Sequence, residues 1–304
     1  MDQAAPRTGQ IGASGAGTIG PLVVLTCVTA VWGSTFFMVK DLVATIPALD
    51  FLGVRFVIAG AAIGFVRFRQ LRRASSLVWQ RGILLGVLFA AAQLAQTVGL
   101  QHTAASVSGF VTGMYVVLTP IVLWVLFRRS VPRSTWVAIA CSVAGMAVLS
   151  LRGTAFGPGE ALTLLGALFY AVHIVFLGRW ATRASVADLG SIQVMTVGVV
   201  CIIGALPGGI ELPQAPTQWA QMLYMALLAS AGAIIAQTWA QARVAPTTAA
   251  VLMTTEPVFT ALFSVLFGGE SVGPHMLIGG ALILMAMFAV ELLPKRRGVA
   301  ATEI

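Results

Sequence analysis

The sequence has very few charged residues. Only 9% of its 304 residues are Asp, Glu, Lys or Arg, whereas 58% are hydrophobic. A soluble domain carries about 25% charged residues, which keep its surface in water. A chain with so little charge has too few polar side chains to cover a folded core. The composition therefore excludes a soluble globular protein and indicates an integral membrane protein.

Cysteine and histidine are also scarce, with three of each. Cys27, Cys141 and Cys201 lie in apolar runs and show no CxxC spacing, which argues against both a disulfide and a metal-binding motif. The histidines are scattered along the chain without an HxxxH or His/Asp cluster. The chain also lacks a Walker A motif, the phosphate-binding loop of ATP-driven proteins. We therefore expect no metal, no cofactor and no nucleotide-driven step.

The remaining charge is mostly positive, with 18 Lys and Arg against 10 Asp and Glu. Such an excess is typical of nucleic-acid binding, but its distribution follows the apolar runs instead. An apolar run of about 20 residues crosses a hydrocarbon core about 30 Å thick. We predict ten such spans, at about 21–39, 47–66, 82–101, 104–127, 135–151, 161–178, 187–206, 219–240, 246–267 and 274–293.

The positive charges then set the orientation of these spans. If the N-terminus is cytoplasmic, the inner loops and tails hold 15 of the 18 Lys and Arg, and the basic segment 67–81 is the longest inner loop. By the positive-inside rule, both termini lie in the cytoplasm. The first span has no small-residue cleavage site after it, so we interpret it as retained, not as a signal peptide. We predict a multi-pass cell-membrane protein whose surroundings are lipid, with no nucleic-acid partner.

The two halves of the sequence resemble each other. The triplet AQT at 95–97 recurs at 236–238, an offset of 141, and near the starts of the halves the offset is 138, where Asp50 falls on Asp188. Each half holds five predicted spans, so the second copy must enter the membrane from the opposite side. We therefore expect an all-α membrane protein of ten transmembrane helices in two inverted five-helix repeats, the architecture in which one half rocks against the other. The predicted boundaries are a tail 1–19, repeats 20–151 and 158–293, and a tail 294–304.

Four short segments carry a family resemblance. They are AVWGSTFF in the first span, RF in the second, VTGMYVVLTP in the fourth and TTEPVFTALF in the ninth. With two tandem five-helix units, these segments resemble the EamA branch of the drug/metabolite transporter superfamily, over essentially residues 20–293. The resemblance implies a ten-helix metabolite permease, commonly an exporter of amino acids or related small molecules.

Two ionisable side chains, Arg55 and Glu256, fall deep inside predicted spans. Each is about ten residues, hence about 15 Å, from the nearer end of its span. A charge at that depth is costly and usually faces a cavity. The 141 offset places Tyr115 on Glu256, and the 138 offset places Gln193 on Arg55. These four residues are predicted to surround a central site at the membrane midplane.

Further polar and aromatic residues inside spans complete the candidate substrate cavity. Amides inside a membrane either bond neighbouring helices or line a cavity. The additional candidates are Trp32, Gln93, Gln96, His173, Gln237 and Trp239. Arg55 has an alternative role as a strut bonded to backbone carbonyls, and His173 as a structural hydrogen-bonding partner. An arginine, a carboxyl group, amides and aromatic walls together suit a zwitterion with an apolar or aromatic tail.

Two prolines are predicted to break helices near this site. Pro257 lacks an N–H group, so the carbonyl of Met253 loses its helical partner, and Pro120 has the same effect on Val116. Broken helices at the midplane are typical of transporter sites, because the freed carbonyls face a cavity.

These patterns favour a secondary transporter that exports a small metabolite by alternating access, driven by an ion gradient or by the substrate's own gradient. Uptake remains an alternative, because the sequence does not encode direction. A proton is one candidate coupling ion, with Glu256 as its carrier. The alternative for Glu256 is a permanent hydrogen-bond partner of the broken helix around Pro257, or a group that only lines the cavity. The oligomeric state is left open. An intramembrane enzyme acting on lipid-linked substrates needs clustered His, Asp or Ser residues, and the chain shows no such cluster. A channel is a third alternative.

The orientation is testable by thiol labelling. A cysteine at Gln214, in the predicted outer loop, should react on intact cells with a reagent that does not cross membranes. A cysteine at Ser75, on the predicted inner side, should react only after the membrane is opened. The reverse labelling pattern would contradict the predicted topology.

Overall fold

The computed structural model describes residues 16–128, 133–149, 157–182, 184–241, 243 and 252–292, and these are helical with short connections and contain no strand. The first half holds α1 Ala16–Leu42, α2 Ala48–Arg73, α3 Ser76–Gln101, α4 Ala105–Gly113, α5 Tyr115–Phe127 and α6 Arg133–Leu149. The second half holds α7 Pro158–Trp180, α8 Val186–Ala205, a 3-10 turn Leu206–Gly208, α9 Pro216–Leu223, a π-helix Tyr224–Gly232, α10 Ala233–Gln241, α11 Glu256–Leu266 and α12 Pro274–Leu292.

Within the described part of the chain, seven helical stretches are long and apolar enough to cross a membrane. Three shorter apolar helices, of 10–17 residues, fall in the predicted fifth, ninth and tenth spans. The start of the predicted ninth span and most of both predicted tails lie outside the described residues. The protein is therefore a multi-pass helical membrane protein, while the count of ten crossings and the inverted repeat stay predictions.

Two helices extend further than the apolar pattern predicts. The segment 67–81 was expected to be a loop, but α2 continues to Arg73 and α3 starts at Ser76. Arg, Gln and Leu are good helix formers, so the helix continues once its apolar part has ended. The turn falls at Ala74 and Ser75, where the Ser75 hydroxyl accepts a hydrogen bond from Val78 N at 3.4 Å. The basic segment is thus mainly helix.

Helix packing follows the same pattern in both halves. Helix α2 packs along α8 and α6 along α12, so these pairs join corresponding spans of the two halves. Helix α4 also packs on its counterpart α11, whereas other pairs exchange between halves: α3 on α7 corresponds to α10 on α1, and α4 on α7 corresponds to α11 on α1. The largest core cluster lies among α1, α2, α3, α8 and the π-helix and includes Phe51, Leu52 and Phe56. A second cluster joins α5 and α6 to α12.

Glycine brings α2 and α8 close together. A Cβ atom at Gly198 of α8 would lie 2.8 Å from Val57 N and 3.0 Å from Phe56 O, both backbone atoms of α2. On the opposite helix, a Cβ atom at Gly53 would lie 2.8 Å from the Ile202 side chain. Small residues allow this approach where lipid offers no hydrophobic driving force between helices. The α2–α8 contact therefore depends on backbone packing.

We expect Gly198→Ala to destabilise the protein by about 1–3 kcal/mol, because the added methyl group meets backbone that has no room to move aside. Thermal unfolding in detergent should show a lower midpoint. Gly178→Ala is the matched control, since a Cβ atom at Gly178 in α7 has nothing within 4 Å. Equal midpoints for the two variants would show that α2 and α8 lie farther apart than this structure places them.

Candidate functional site: a central cavity

A cavity of about 330 Å³ lies between the two halves of the molecule. Its walls come from α1, α2, α3, α4 and α5 of the first half, and from α7, α8, the π-helix, α10 and α11 of the second. Ligand pockets for small molecules usually measure about 300–1,000 Å³, so the size suits a small metabolite. The lining includes nine of the candidate residues from the sequence: Trp32, Arg55, Gln93, Gln96, Tyr115, His173, Gln193, Gln237 and Glu256.

Trp239 is the one candidate cavity residue that lies elsewhere. Its side chain is 43% exposed on the molecular surface and stacks with Arg243, whose Cζ is 4.5 Å from the ring centroid. Gln237 and Trp239 are two residues apart on α10, so a helix directs them to different faces. The prediction of Trp239 as a cavity wall differs from the structure for this reason.

Arg55 is buried on α2 and faces the cavity. Its Nε donates a hydrogen bond to the Ser230 hydroxyl at 3.1 Å, and its Cζ lies 5.1 Å from the Phe56 ring centroid. Among the described residues it has neither a carboxylate partner nor a backbone carbonyl partner. The strut role considered for Arg55 required such carbonyls. The structure instead holds the guanidinium by one hydroxyl and two aromatic rings, those of Phe56 and Phe51.

Glu256 opens α11 from the opposite half. Its backbone carbonyl accepts a hydrogen bond from the Thr260 hydroxyl at 3.1 Å, and the carboxyl group lies within electrostatic range of Tyr170. No ion pair or side-chain hydrogen bond joins this carboxyl group to another described residue. The cavity thus has one basic and one acidic side chain in its wall that do not neutralise each other by direct contact.

Tyr170 lies within electrostatic range of both groups and was missed by the sequence reasoning. Its hydroxyl donates a hydrogen bond to Gln96 Oε1 at 3.0 Å, and Gln96 Nε2 donates to the Thr112 hydroxyl at 2.9 Å. These two hydrogen bonds fix the orientation of the Gln96 amide, and the Tyr170 hydroxyl has no second hydrogen to donate. The 138 offset between the halves places Trp32 on Tyr170, which is the signal that would have identified it.

His173 forms a structural hydrogen bond at the cavity wall. Its Nε2 bonds Gln193 Oε1, and its ring lies 5.3 Å from the Phe89 ring. The bond joins α7 to α8 and satisfies two buried polar side chains at once, as buried polar groups require. His173 and Gln193 therefore line the cavity as a bonded pair.

The helices are interrupted beside the cavity. The predicted fourth span divides at Met114, between α4 and α5, whereas α5 passes through Pro120 without a break. The prediction of a break at Pro120 is therefore corrected. At Met114, the preceding Gly113 approaches Pro257 so closely that a Cβ atom would lie 2.9 Å from the proline ring. This contact between halves, not the proline within α5, lies at the interruption.

The second interruption precedes Pro257. Helix α11 begins at Glu256 after a turn at Thr254 and Thr255. Pro257 occupies its first turn, where a backbone N–H group has no acceptor within the helix, so the missing N–H of proline costs no hydrogen bond. Proline therefore starts a helix here and does not bend a continuous one. The helices after the two interruptions begin at Tyr115 and Glu256, which are 141 residues apart, the offset found in the sequence.

A π-helix forms another part of the cavity wall. It covers Tyr224–Gly232, and in it the Ala229 carbonyl accepts a hydrogen bond from Trp32 Nε1 at 2.8 Å. The same segment presents Ser230 to Arg55. Short π-helical segments are rare and occur frequently at functional sites. Nothing in the apolar sequence YMALLASAG distinguishes it from an α-helix, so sequence reasoning missed both the π-helix and Ser230.

The described residues contain no group of three or more His, Cys, Asp and Glu side chains that could hold a metal ion. The cavity wall can bind a ligand through one guanidinium, one carboxyl group, amides, hydroxyls and aromatic rings.

Comparison with known proteins identifies the family. The model of the EamA-like transporter family matches residues 19–151 and again residues 157–292. The chain belongs to the EamA-like transporter family. The resemblance drawn from the four short segments is thereby confirmed, and this EamA-like chain carries two consecutive copies of the family's unit.

Relatives of this EamA-like protein are named as transporters. An uncharacterized transporter of Archaeoglobus fulgidus is 29% identical over 283 residues, covering 93% of this chain and 89% of the relative. The uncharacterized inner membrane transporter YedA of Escherichia coli strain K12 is 26% identical over 270 residues, covering 86% of this chain and 87% of YedA. A crystal structure of another protein superposes on this chain with a TM-score of 0.63 at 18% identity. The superposition covers 91% of this chain and 96% of the other, so the two share a fold.

Proposed function

We propose that this protein is a secondary transporter that exports a small zwitterionic metabolite, an amino acid or a related compound, by alternating access. The observation that carries the proposal is a single cavity, walled by both halves, that contains Arg55 and Glu256 without a direct ion pair between them. A buried charge without a partner is costly. A substrate with two opposite charges would supply the missing partners.

The guanidinium of Arg55 is suited to the anionic end of such a substrate. It has five N–H donors in a planar fork, and the structure shows one of them bonded, to Ser230. The fork matches a carboxylate, which accepts two parallel hydrogen bonds. Ser230 holds the group at one side, so its other donors are available to the cavity. Arg55 is therefore proposed to bind the substrate carboxylate.

The wall around Tyr170 and Glu256 is suited to the cationic end. The Tyr170 hydroxyl donates its hydrogen bond to Gln96, so it offers only lone pairs to a ligand. An ionised carboxyl group is also an acceptor. Phe56, Phe89 and Trp32 supply apolar and aromatic surface between these poles. A substrate ammonium is therefore proposed to bind between Tyr170 and Glu256, with its apolar part against the rings.

Transport fits this lining better than catalysis does. The hydroxyl and imidazole groups whose partners are described bond an arginine, a side-chain amide or, for Thr35, the backbone carbonyl of Trp32; the others are those of Ser230, Thr112, Tyr170 and His173. Covalent catalysis needs a nucleophile bonded to a base, and the described lining residues form no such pair. The wall also comes from both halves, so a rocking motion of one against the other would expose its groups to the two sides of the membrane in turn.

A thermal-shift screen of the purified protein with amino acids, amines and nucleosides tests the proposal. We expect a zwitterion to raise the unfolding temperature and to support counterflow in liposomes. Arg55→Gln should remove both effects, because the amide replaces a charged fork. Arg69→Gln, the same change at an exposed site on α2, is the control. If only amines stabilise the protein, and Arg55→Gln does not change this effect, the assigned carboxylate site is contradicted. A flux that does not saturate with substrate concentration would indicate a channel.

Glu256→Gln tests ion coupling. If the carboxyl group carries a proton, the variant should lose gradient-driven transport by at least about tenfold while keeping substrate exchange, because exchange needs no net proton movement. Both activities are measured in the same liposomes with the best ligand of the screen. Parallel loss of exchange and driven transport would assign Glu256 to substrate binding or structure. Undiminished pH-driven flux in the folded variant would exclude coupling at this residue.

A further inference from the structure

The two ends of the helix bundle are held by different contacts. At one end, Lys40 Nζ donates to Thr103 O at 2.7 Å and Gln101 Nε2 donates to Val43 O at 2.9 Å. At the other end, Arg67 pairs with Asp188 at 2.6 Å. We call these the outer and the inner end, after the predicted topology.

The cavity is closed at the outer end. The lining residues nearest that end are Phe36, Val39, Thr97 and Leu100, and their exposed fractions are 6%, 6%, 3% and 2%. Towards the inner end, the lining residues Leu177 and Val186 are partly exposed, and Ile174 is 36% exposed. The structure therefore represents a conformation that is closed at the outer end, with its partly exposed lining residues towards the inner end.

Two carboxylates of the second half hold the α3–α4 connection of the first half at the outer end. Glu160 Oε1 accepts a hydrogen bond from the Thr103 hydroxyl at 2.6 Å, and its Oε2 accepts from Gly157 N at 3.1 Å. Lys40 bonds the carbonyl of the same threonine from the other side. Thr103 is thereby fixed between α1 and α7.

Glu270 binds the next residues of the connection. Its Oε1 accepts from Ala105 N at 2.6 Å and its Oε2 from Ser106 N at 3.2 Å, and the Ser106 hydroxyl bonds Oε2 as well. These are the free N–H groups at the start of α4, where a negative charge is favourable. Hydrogen bonds to a charged acceptor are about twice as strong as neutral ones. We call the contacts of Glu160 and Glu270 with residues 103–106 the outer latch.

The repeat offset predicts that the inner end has no such latch. At an offset of 141, Glu270 corresponds to Arg129, which has donors only, and Ala105 corresponds to Pro246, which has no N–H group. Thr103 corresponds to Val244, and at the offset of 138 found near the starts of the halves Glu160 corresponds to Leu22. Ser106 corresponds to Thr247, which keeps a hydroxyl and an N–H group. Neither acceptor carboxylate of the latch is repeated, and two of its four donors are lost.

We propose that the outer latch biases the resting transporter towards the conformation that is closed outside and open to the cytoplasm. Outward opening separates the carboxylates of the second half from the α3–α4 connection, so it breaks the charge-assisted bonds that hold the two together. Among the described residues of the inner end, the charged contact between the halves is the Arg67–Asp188 ion pair, and none of these residues forms a counterpart of the carboxylate-bound connection. The proposal rests on alternating access in the proposed function, and it is independent of the substrate. In an exporter, the bias keeps the empty site available to cytoplasmic substrate.

A reporter cysteine measures the bias without any substrate. Thr97→Cys, in a protein whose three native cysteines are replaced by alanine, places a thiol in the buried outer part of the cavity. A maleimide that does not cross membranes is added to intact cells and to inside-out vesicles. We expect slow labelling from outside with the latch intact. Combining Glu160→Gln with Glu270→Gln should raise the outside rate by at least about tenfold and lower the inside rate, because the charged bonds are lost.

Glu211→Gln is the matched control. Glu211 is an exposed carboxylate at the same end whose side chain bonds no described residue, and only its backbone N–H is used, by Asp50 Oδ2 at 2.7 Å. It should leave both labelling rates unchanged. An unchanged outside rate in the folded double variant would overturn the proposal, as would rapid outside labelling with the latch intact. The labelling needs no ligand, so failure of the substrate screen would leave its result standing.

A second pair of variants covers the case in which the double variant does not fold. Thr103→Val and Ser106→Ala each delete one latch hydroxyl and introduce no unpaired donor. Each should raise the outside labelling rate of the reporter severalfold, and the two together should raise it further. Rates equal to those of the Glu211→Gln control would overturn the proposal.

Discussion

The backbone in lipid must satisfy its own hydrogen bonds, and the architecture of this protein depends on that constraint. A carbonyl or N–H group freed from a helix costs several kcal/mol where no water reaches it. The interruption at Met114, the turn at Thr254 and Thr255 and the π-helix all depart from regular α-helix, and residues of or beside each line the same cavity. There, polar side chains, water or a substrate replace the lost partners. The Ala229 carbonyl, bonded by the Trp32 indole, is one such replacement. Irregular backbone and binding site therefore share one location for one physical reason.

Much of the site could be predicted from the sequence because burying charge is expensive. Arg55 and Glu256 stand out in apolar runs whatever the details of packing, and the structure places both on the cavity wall. The repeat offset then indicated Tyr115 and Gln193, since two copies of one unit place corresponding residues at corresponding depths. The helical fold follows from composition in the same way. These inferences need only the free energy of transferring side chains from water to lipid and the offset that aligns the two halves.

The features that escaped prediction depend on contacts between distant segments. Pro120 leaves α5 unbroken, and the interruption falls at Met114, where Gly113 meets Pro257 of the other half. Ser230 faces Arg55 because a π-helix turns it there, and an alanine- and leucine-rich segment gives no sign of that geometry. Trp239 was assigned by residue type alone, without regard to the face of α10 that carries it. Position in an apolar run indicates depth, and only packing determines which way a side chain faces.

The π-helix also bears on how two copies of one unit came to differ in length. Three more residues separate Asp188 from Gln237 than separate Asp50 from Gln96, although both glutamines line the cavity. The outer connection between α8 and α9 and the π-helix both lie within this longer interval. A π-helix contains more residues per turn than an α-helix, so it absorbs part of an insertion within the span and limits the rotation of α10 about its own axis. The π-helix thus accommodates the longer interval of the second copy, and Gln237 still faces the cavity.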